Sequence, residues 1–176
     1  MDSVVTAAQK VNLGEDAIRA ITEGKCEVLA YADLANYSTL QEAAGKYQAA
    51  ICLFETKPSF GHWIAWFRID DETWEWFDSY GMRPDSERAF IDEKFLKESG
   101  QAPFMTELIK RSTANTRLIW NQQKLQSEKV GVNTCGRWAS LRIKKRGMKL
   151  AKFQELFVNQ KESPDWLATC LTLIYT

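Results

Sequence analysis

The sequence predicts an α+β fold, a single domain spanning 1–176 with a mainly antiparallel central sheet flanked by helices. Three observations predict it. Helical signals open and close the chain, strand-length apolar runs occupy its middle, and no Gly/Ser/Pro-rich linker divides it. A length of 176 residues fits one hydrophobic core.

The elements follow in order. About ten N-terminal residues are free to fray. Leu13 to Glu23 reads as a short helix ended by Gly24, and Cys26 to Tyr31 as a short strand. Ser38-Thr39-Leu40-Gln41-Glu42 offers a capping box for a second short helix that stops near Gly45. Gln48 to Glu55 is almost continuously apolar, the mark of an internal strand. A Pro/Gly loop leads to a strand at His62 to Ile69. Asp70 to Glu72 turns the chain into a return strand at Thr73 to Asp78. Both strands are apolar on both faces, so the hairpin lies inside a covered sheet. Pro84 to Gly100 holds a polar helix that starts near Asp85 or Ser86, anchored by Phe90 and Phe95, and Thr116 to Asn121 is a further strand. Helix resumes at Gly136. Leu150, Phe153, Leu156 and Phe157 share one face of the next helix. Ser163-Pro164-Asp165 supplies an N-cap, a first-turn proline and an acidic second position for a final helix.

Composition excludes several classes of function. Lys plus Arg equals Asp plus Glu at 23 each, so no global field draws the chain to nucleic acid or membrane. No run approaches the roughly 18 apolar residues of a membrane span. The N-terminal segment lacks the order of a signal peptide, and the chain reads as a complete intracellular product. Cys26, Cys52, Cys135 and Cys170 form no CxxC pair and read as reduced thiols. His62 is the one histidine, which excludes metal sites that need two. No Gly-rich phosphate loop is present.

The chemistry-bearing residues fall in three places: His62-Trp63, Phe77-Asp78-Ser79-Tyr80-Gly81, and Thr134-Cys135-Gly136. A three-residue turn at Asp70 to Glu72 pairs His62 with Tyr80 and Ile64 with Asp78. His62 and Asp78 are then diagonal neighbours on one face, roughly 7–8 Å apart at the backbone, within reach of a carboxylate–imidazole contact. A register slip of one residue would separate them. Cys135 precedes a helix, where free N–H groups and the dipole lower a thiol pKa. Gly136 lets a substrate backbone approach. The Cys135 N–H could donate to an oxyanion. Singly, each feature has an ordinary structural role. Together they point to nucleophilic catalysis through a thiolate.

In order and spacing, Gly61-His62-Trp63, the acidic Phe77-to-Gly81 segment, an upstream Gln and Thr134-Cys135-Gly136-Arg137 resemble the adenovirus-type (adenain-like) cysteine proteases, relatives of the SUMO- and ubiquitin-like-specific proteases. The resemblance covers Ile51 to Ile143. It implies a papain-like fold and a cysteine endopeptidase with Cys135 as nucleophile, His62 as general base and acid, and Asp78 orienting the imidazole. The implied oxyanion hole combines the Cys135 N–H with a Gln amide. Gln126, nine residues upstream in the last polar stretch before the cysteine, is the choice, with Gln122 and Gln123 open. Trp63 would roof a channel admitting Gly beside the scissile bond.

The resemblance further implies processing of viral capsid or core precursors during virion maturation, by a monomer in the host cytoplasm or nucleus and in the virion. The chemistry needs no cofactor, but some relatives are activated by DNA and a peptide. Arg142, Lys144, Lys145, Arg146, Lys149 and Lys152 crowd eleven residues and offer a DNA strip, or simply a solvated helix face. Three alternatives stand beside this reading: ubiquitin-like deconjugation, acetyl transfer through the same Cys–His pair, and a non-catalytic binding module with an aromatic surface of Trp63, Trp74 and Trp76.

Overall fold

A five-stranded sheet organises the chain in the computed structural model, which describes residues 2–112 and 116–176. The strands are β1 (Glu27–Ala30), β2 (Ala49–Lys57), β3 (Phe60–Arg68), β4 (Thr73–Phe77) and β5 (Arg117–Trp120), adjacent in sequence order. The β2–β3 and β3–β4 pairs are antiparallel, but β1–β2 and β4–β5 are parallel. The sheet is therefore mixed, which corrects the expectation of a mainly antiparallel one. Parallel neighbours need a long crossover. One runs through a 3₁₀ turn at Tyr31–Asn36 and helix α3 (Leu40–Ala43), the other through α4 (Glu93–Ser99) and α5 (Phe104–Arg111). The four-residue edge strands carry no pattern that fixes their direction.

The β3–β4 register is the one the turn predicts. Ala65 pairs with Phe77 and Arg68 with Trp74, which projects His62 onto Tyr80 and Ile64 onto Asp78. The turn is closed by Asp70, whose carboxylate accepts from the Glu72 and Thr73 N–H groups. Side chains alternate into two buried layers. Trp63, Ala65 and Phe67 join a core covered by α2 (Glu15–Thr22), α6 (Cys135–Lys144), α7 (Leu150–Glu155) and α8 (Pro164–Leu173). Ile64, Trp66, Trp74 and Trp76 join a second core under α3 and α5. Trp74 and Trp76 are thus fully buried, and Trp63 nearly so. That removes the aromatic surface the binding-module alternative required.

Three local expectations change. The N-terminal residues form α1 (Asp2–Gln9), which packs against α8 and buries Val5. The polar helix over Pro84 to Gly100 divides into a 3₁₀ turn, Ser86–Phe90, and α4, capped by Asp92 accepting from the Phe95 N–H. Asp85 takes a left-handed conformation, φ 64°, held by Tyr31 and Thr106. This turns the chain before a regular helix can form. Phe95 packs on the second core, but Phe90 is 78% exposed and anchors nothing. α5 was not expected from sequence, though Met105 and Leu108 bury at helical spacing behind Pro103.

Thr39 and Ser163 cap α3 and α8 as their sequences predict. α6 is buried from Cys135 to Ile143 and lies against β3. No described helix is long and apolar enough to cross a membrane.

Candidate functional site around Cys135, His62 and Asp78

The second residue of β3 is Gly61, where an added Cβ would fall 1.9 Å from the Phe54 carbonyl oxygen on β2. Only glycine permits that approach, and it sets the position of His62. The hairpin register puts His62 and Asp78 on the same side, and His62 Nε2 lies 2.9 Å from Asp78 Oδ1. The same oxygen accepts from the Tyr80 N–H at 2.7 Å. Asn121, at the end of β5, grips the Asp78 backbone from both sides: its Oδ1 accepts from the Asp78 N–H and its Nδ2 donates to the Asp78 carbonyl. The Tyr80 ring stacks on the imidazole with centroids 4.9 Å apart. Asp78 is fully buried.

The thiol arrives on α6. Cys135 occupies the first helical position, so its N–H has no intrahelical acceptor. The helix start is fixed by the buried carboxylate of Asp165, which accepts from the Thr134 hydroxyl, the Trp138 indole at 2.9 Å and the Ser127 N–H at 2.8 Å. The Cys135 sulfur lies near enough to His62 and to the Trp63 and Gly136 N–H groups for all three to favour its ionised form. Since Nε2 of His62 faces Asp78, Nδ1 is the ring nitrogen left for the thiol.

The electrostatics follow from this geometry. Burial pushes the Cys135 thiol up, but the hydrogen bond and charge of His62 and the two backbone N–H groups outweigh it, and the net shift is downward. Burial pulls His62 down, but Asp78 first and Cys135 second hold it well above its ordinary value. Burial likewise opposes the Asp78 charge, and His62 prevails to keep it lowered. Each shift runs toward the charged form of its group, as a thiolate–imidazolium–carboxylate set requires. By contrast, burial raises Cys26 and Cys52.

Gln126 is buried beside this set. Its backbone N–H and that of Leu125 both donate to the Ser79 carbonyl. The Ser79 hydroxyl donates to Oε1 at 2.6 Å, and Nε2 faces the Val132 carbonyl at 3.4 Å. A carbonyl only accepts, so the amide nitrogen must point that way, leaving its second proton uncommitted. Gln122 is exposed and Gln123 half-buried. Their backbones serve Gly81, φ 76°, where a Cβ would lie 3.1 Å from Gln122 O.

Trp63 donates its indole N–H to the Leu13 carbonyl at 2.9 Å and walls a cavity of about 300 Å³ together with Leu13, Gly14 and Gly61. The space a Cβ would need at Gly136 is taken by Leu13 and Trp63, each 3.1 Å away. The glycine is thus packed against Leu13 and Trp63, and its N–H lies near the thiol. A second cavity of about 270 Å³ adjoins the His62 ring, lined by Tyr80, Met82, Glu87 and Phe90 among others.

His62, Asp78 and Glu87 bring three ligand-type atoms within 4.8 Å of one another. His62 Nε2 is committed to Asp78, and burial with the adjacent Asp78 charge pushes Glu87 up to about 9. The trio therefore joins a committed imidazole to two buried acids. Asn121, Asp165 and Glu87 escaped sequence reasoning. Asp165 showed only its place in a helix start, and Glu87 looked like one more surface charge.

The basic strip is also revised. Arg142 is 1% exposed and binds Glu75 of β4 through Nε and Nη2, at 2.6 and 2.8 Å. It is a core residue and cannot meet DNA. Lys144 pairs with Glu23, and Arg146 donates to the Lys25 carbonyl.

No protein-family model matches the chain. It is 31% identical over 170 residues to a Sputnik virophage protein described as uncharacterized protein V9, an alignment covering 94% of this chain and 96% of that protein. With nearly the whole of both chains aligned, the protein belongs to the family of Sputnik virophage protein V9.

Proposed function

We propose that the protein is a cysteine endopeptidase with a papain-like fold of the adenain type. The observation that carries this reading is His62 held between Asp78, at 2.9 Å, and the Cys135 thiol at the start of α6. The Cys135 thiolate attacks the peptide carbonyl to form a tetrahedral intermediate. Its oxyanion accepts from the Cys135 N–H and the spare Gln126 proton. Imidazolium Nδ1–H protonates the departing amine, leaving a thioester. The neutral imidazole then takes a proton from water, which attacks the thioester; the acyl group leaves as a carboxylic acid and the thiolate–imidazolium pair is restored. Asp78 keeps the ring oriented throughout and stabilises it whenever it is charged.

The cavity walled by the Trp63 indole beside Leu13, Gly14 and Gly61 supports a substrate whose residue beside the scissile bond is Gly. Peptide libraries should show cleavage after Gly, and equal turnover with Leu or Phe at that position would contradict it. The family includes a virophage protein, which favours viral structural precursors as substrates over ubiquitin-like conjugates. Lys144, Lys145, Arg146 and Lys149 remain the residues through which DNA could stimulate activity, and stimulation that falls steeply with salt is its signature.

Gln126→Ala is expected to lower turnover by roughly 10²–10³-fold, the usual cost of one oxyanion donor, while the chain stays folded. Single-turnover kinetics with a peptide ester would measure this. Full activity would transfer the role to Gln122 or Gln123.

A further inference from the structure

Glu87 lies in the 3₁₀ turn Ser86–Phe90, away from every motif that marks the site, yet it is only 5% exposed. Among the described residues, both its carboxyl oxygens and Asp78 Oδ2 are buried without a hydrogen-bond partner if both acids are ionised. Glu87 and Asp78 belong to one cluster with His62, a ligand-type atom of each lying within 4.8 Å of the others. Two buried acceptors side by side are costly, and a single proton between them satisfies both. We propose that Glu87 is neutral and donates its carboxyl O–H to Asp78 Oδ2, making it a positioning residue that fixes Asp78 and, through it, the His62 ring.

Charge decides which acid keeps the proton. Asp78 faces His62, so its ionised form is favoured, whereas Glu87 faces burial and the Asp78 charge and is pushed up to about 9. The groups around Glu87 are His62 from β3, Asp78 from the end of β4, and Tyr31, whose phenol senses it from beyond β1. Tyr80 and Glu128 line the same cavity. Arg88, next in the chain, has a buried Nε without a partner, and no ion pair joins it to Glu87 within 4 Å among the described residues. The result is a relay of four groups: thiolate, imidazolium, carboxylate and carboxylic acid. Above about pH 9 the Glu87 proton leaves, the bond to Asp78 is lost, and a second negative charge falls beside it.

Its consequence for catalysis rests on the peptidase reading, but its test does not. The wild-type chain at pH 7 should show the infrared carbonyl band of a protonated carboxylic acid, removed by Glu87→Gln. His62 is the sole histidine, so its ring nitrogen resonances can be followed unassigned. Glu87→Leu should alter the His62 titration and slow Cys135 alkylation at pH 6 by roughly tenfold, the change for one unit of thiol pKa. Glu87→Gln retains a donor and should recover most of that loss, without the break near pH 9. Absence of the infrared band overturns the proposal without any variant. An unchanged His62 titration in a folded Glu87→Leu overturns the positioning role. An unreactive Cys135 in wild type would instead defeat the peptidase reading, with the infrared and histidine measurements still deciding Glu87.

Discussion

Cys135→Ala is expected to abolish peptide hydrolysis, lowering turnover by on the order of 10⁴-fold or more, without loss of the fold. In the proposed mechanism the sulfur is the nucleophile, and no other described cysteine has a depressed pKa; burial raises Cys26, Cys52 and Cys170 alike. The substitution also removes a buried atom from the core around Trp63 and Trp138. The cost in stability should be small, because the lost group is one sulfur and the helix start is held independently by Asp165. His62→Ala should cause a loss of similar size, since residues that act as a unit are not additive. The double variant should be scarcely worse than either single one. A residual rate within tenfold of wild type in Cys135→Ala would mean another group does the chemistry.

The second large effect concerns stability. Arg142→Ala is expected to destabilise the protein by about 3–5 kcal/mol, the usual result of removing one partner of a buried pair. Its guanidinium binds both Glu75 carboxylate oxygens, donates to the Lys145 and Met148 carbonyls, and lies over the Phe67 and Phe153 rings. The Glu75 left behind would be a charge in the core, and burial already raises its pKa against the pull of Arg142. Lys145→Ala and Lys149→Ala should stay within about 0.5 kcal/mol, as exposed substitutions do. Denaturant titration of the three variants separates the readings. A surface strip predicts three similar small effects, whereas a core ion pair predicts one large and two small.

Much of this site was legible in the sequence because it depends on short-range rules. The turn at Asp70 to Glu72 fixes the hairpin register, and the register alone makes His62 and Asp78 neighbours. Cys135 could be placed because the residues after it follow a helical pattern. What escaped was long-range. Asp165 serves α6 from a different helix, Asn121 grips Asp78 from another strand, and Glu87 turns inward from a loop. A charged residue does not announce its burial in sequence, so Arg142 was read with its lysine neighbours. Strand direction was illegible for the same reason. Three apolar residues behind one charged residue, at β1 and again at β5, fit either orientation, and only the crossover lengths and the packing of both faces choose one.

The central claim is a preformed thiolate on Cys135 maintained by His62. The most direct test is alkylation by iodoacetamide at about pH 6, where an ordinary thiol of pKa near 8.5 is almost wholly protonated. All four cysteines would be resolved by mass spectrometry in wild type and in His62→Ala. The account predicts fast labelling of Cys135 alone, lost in the variant. Slow and uniform labelling of all four cysteines in the wild-type protein would contradict it.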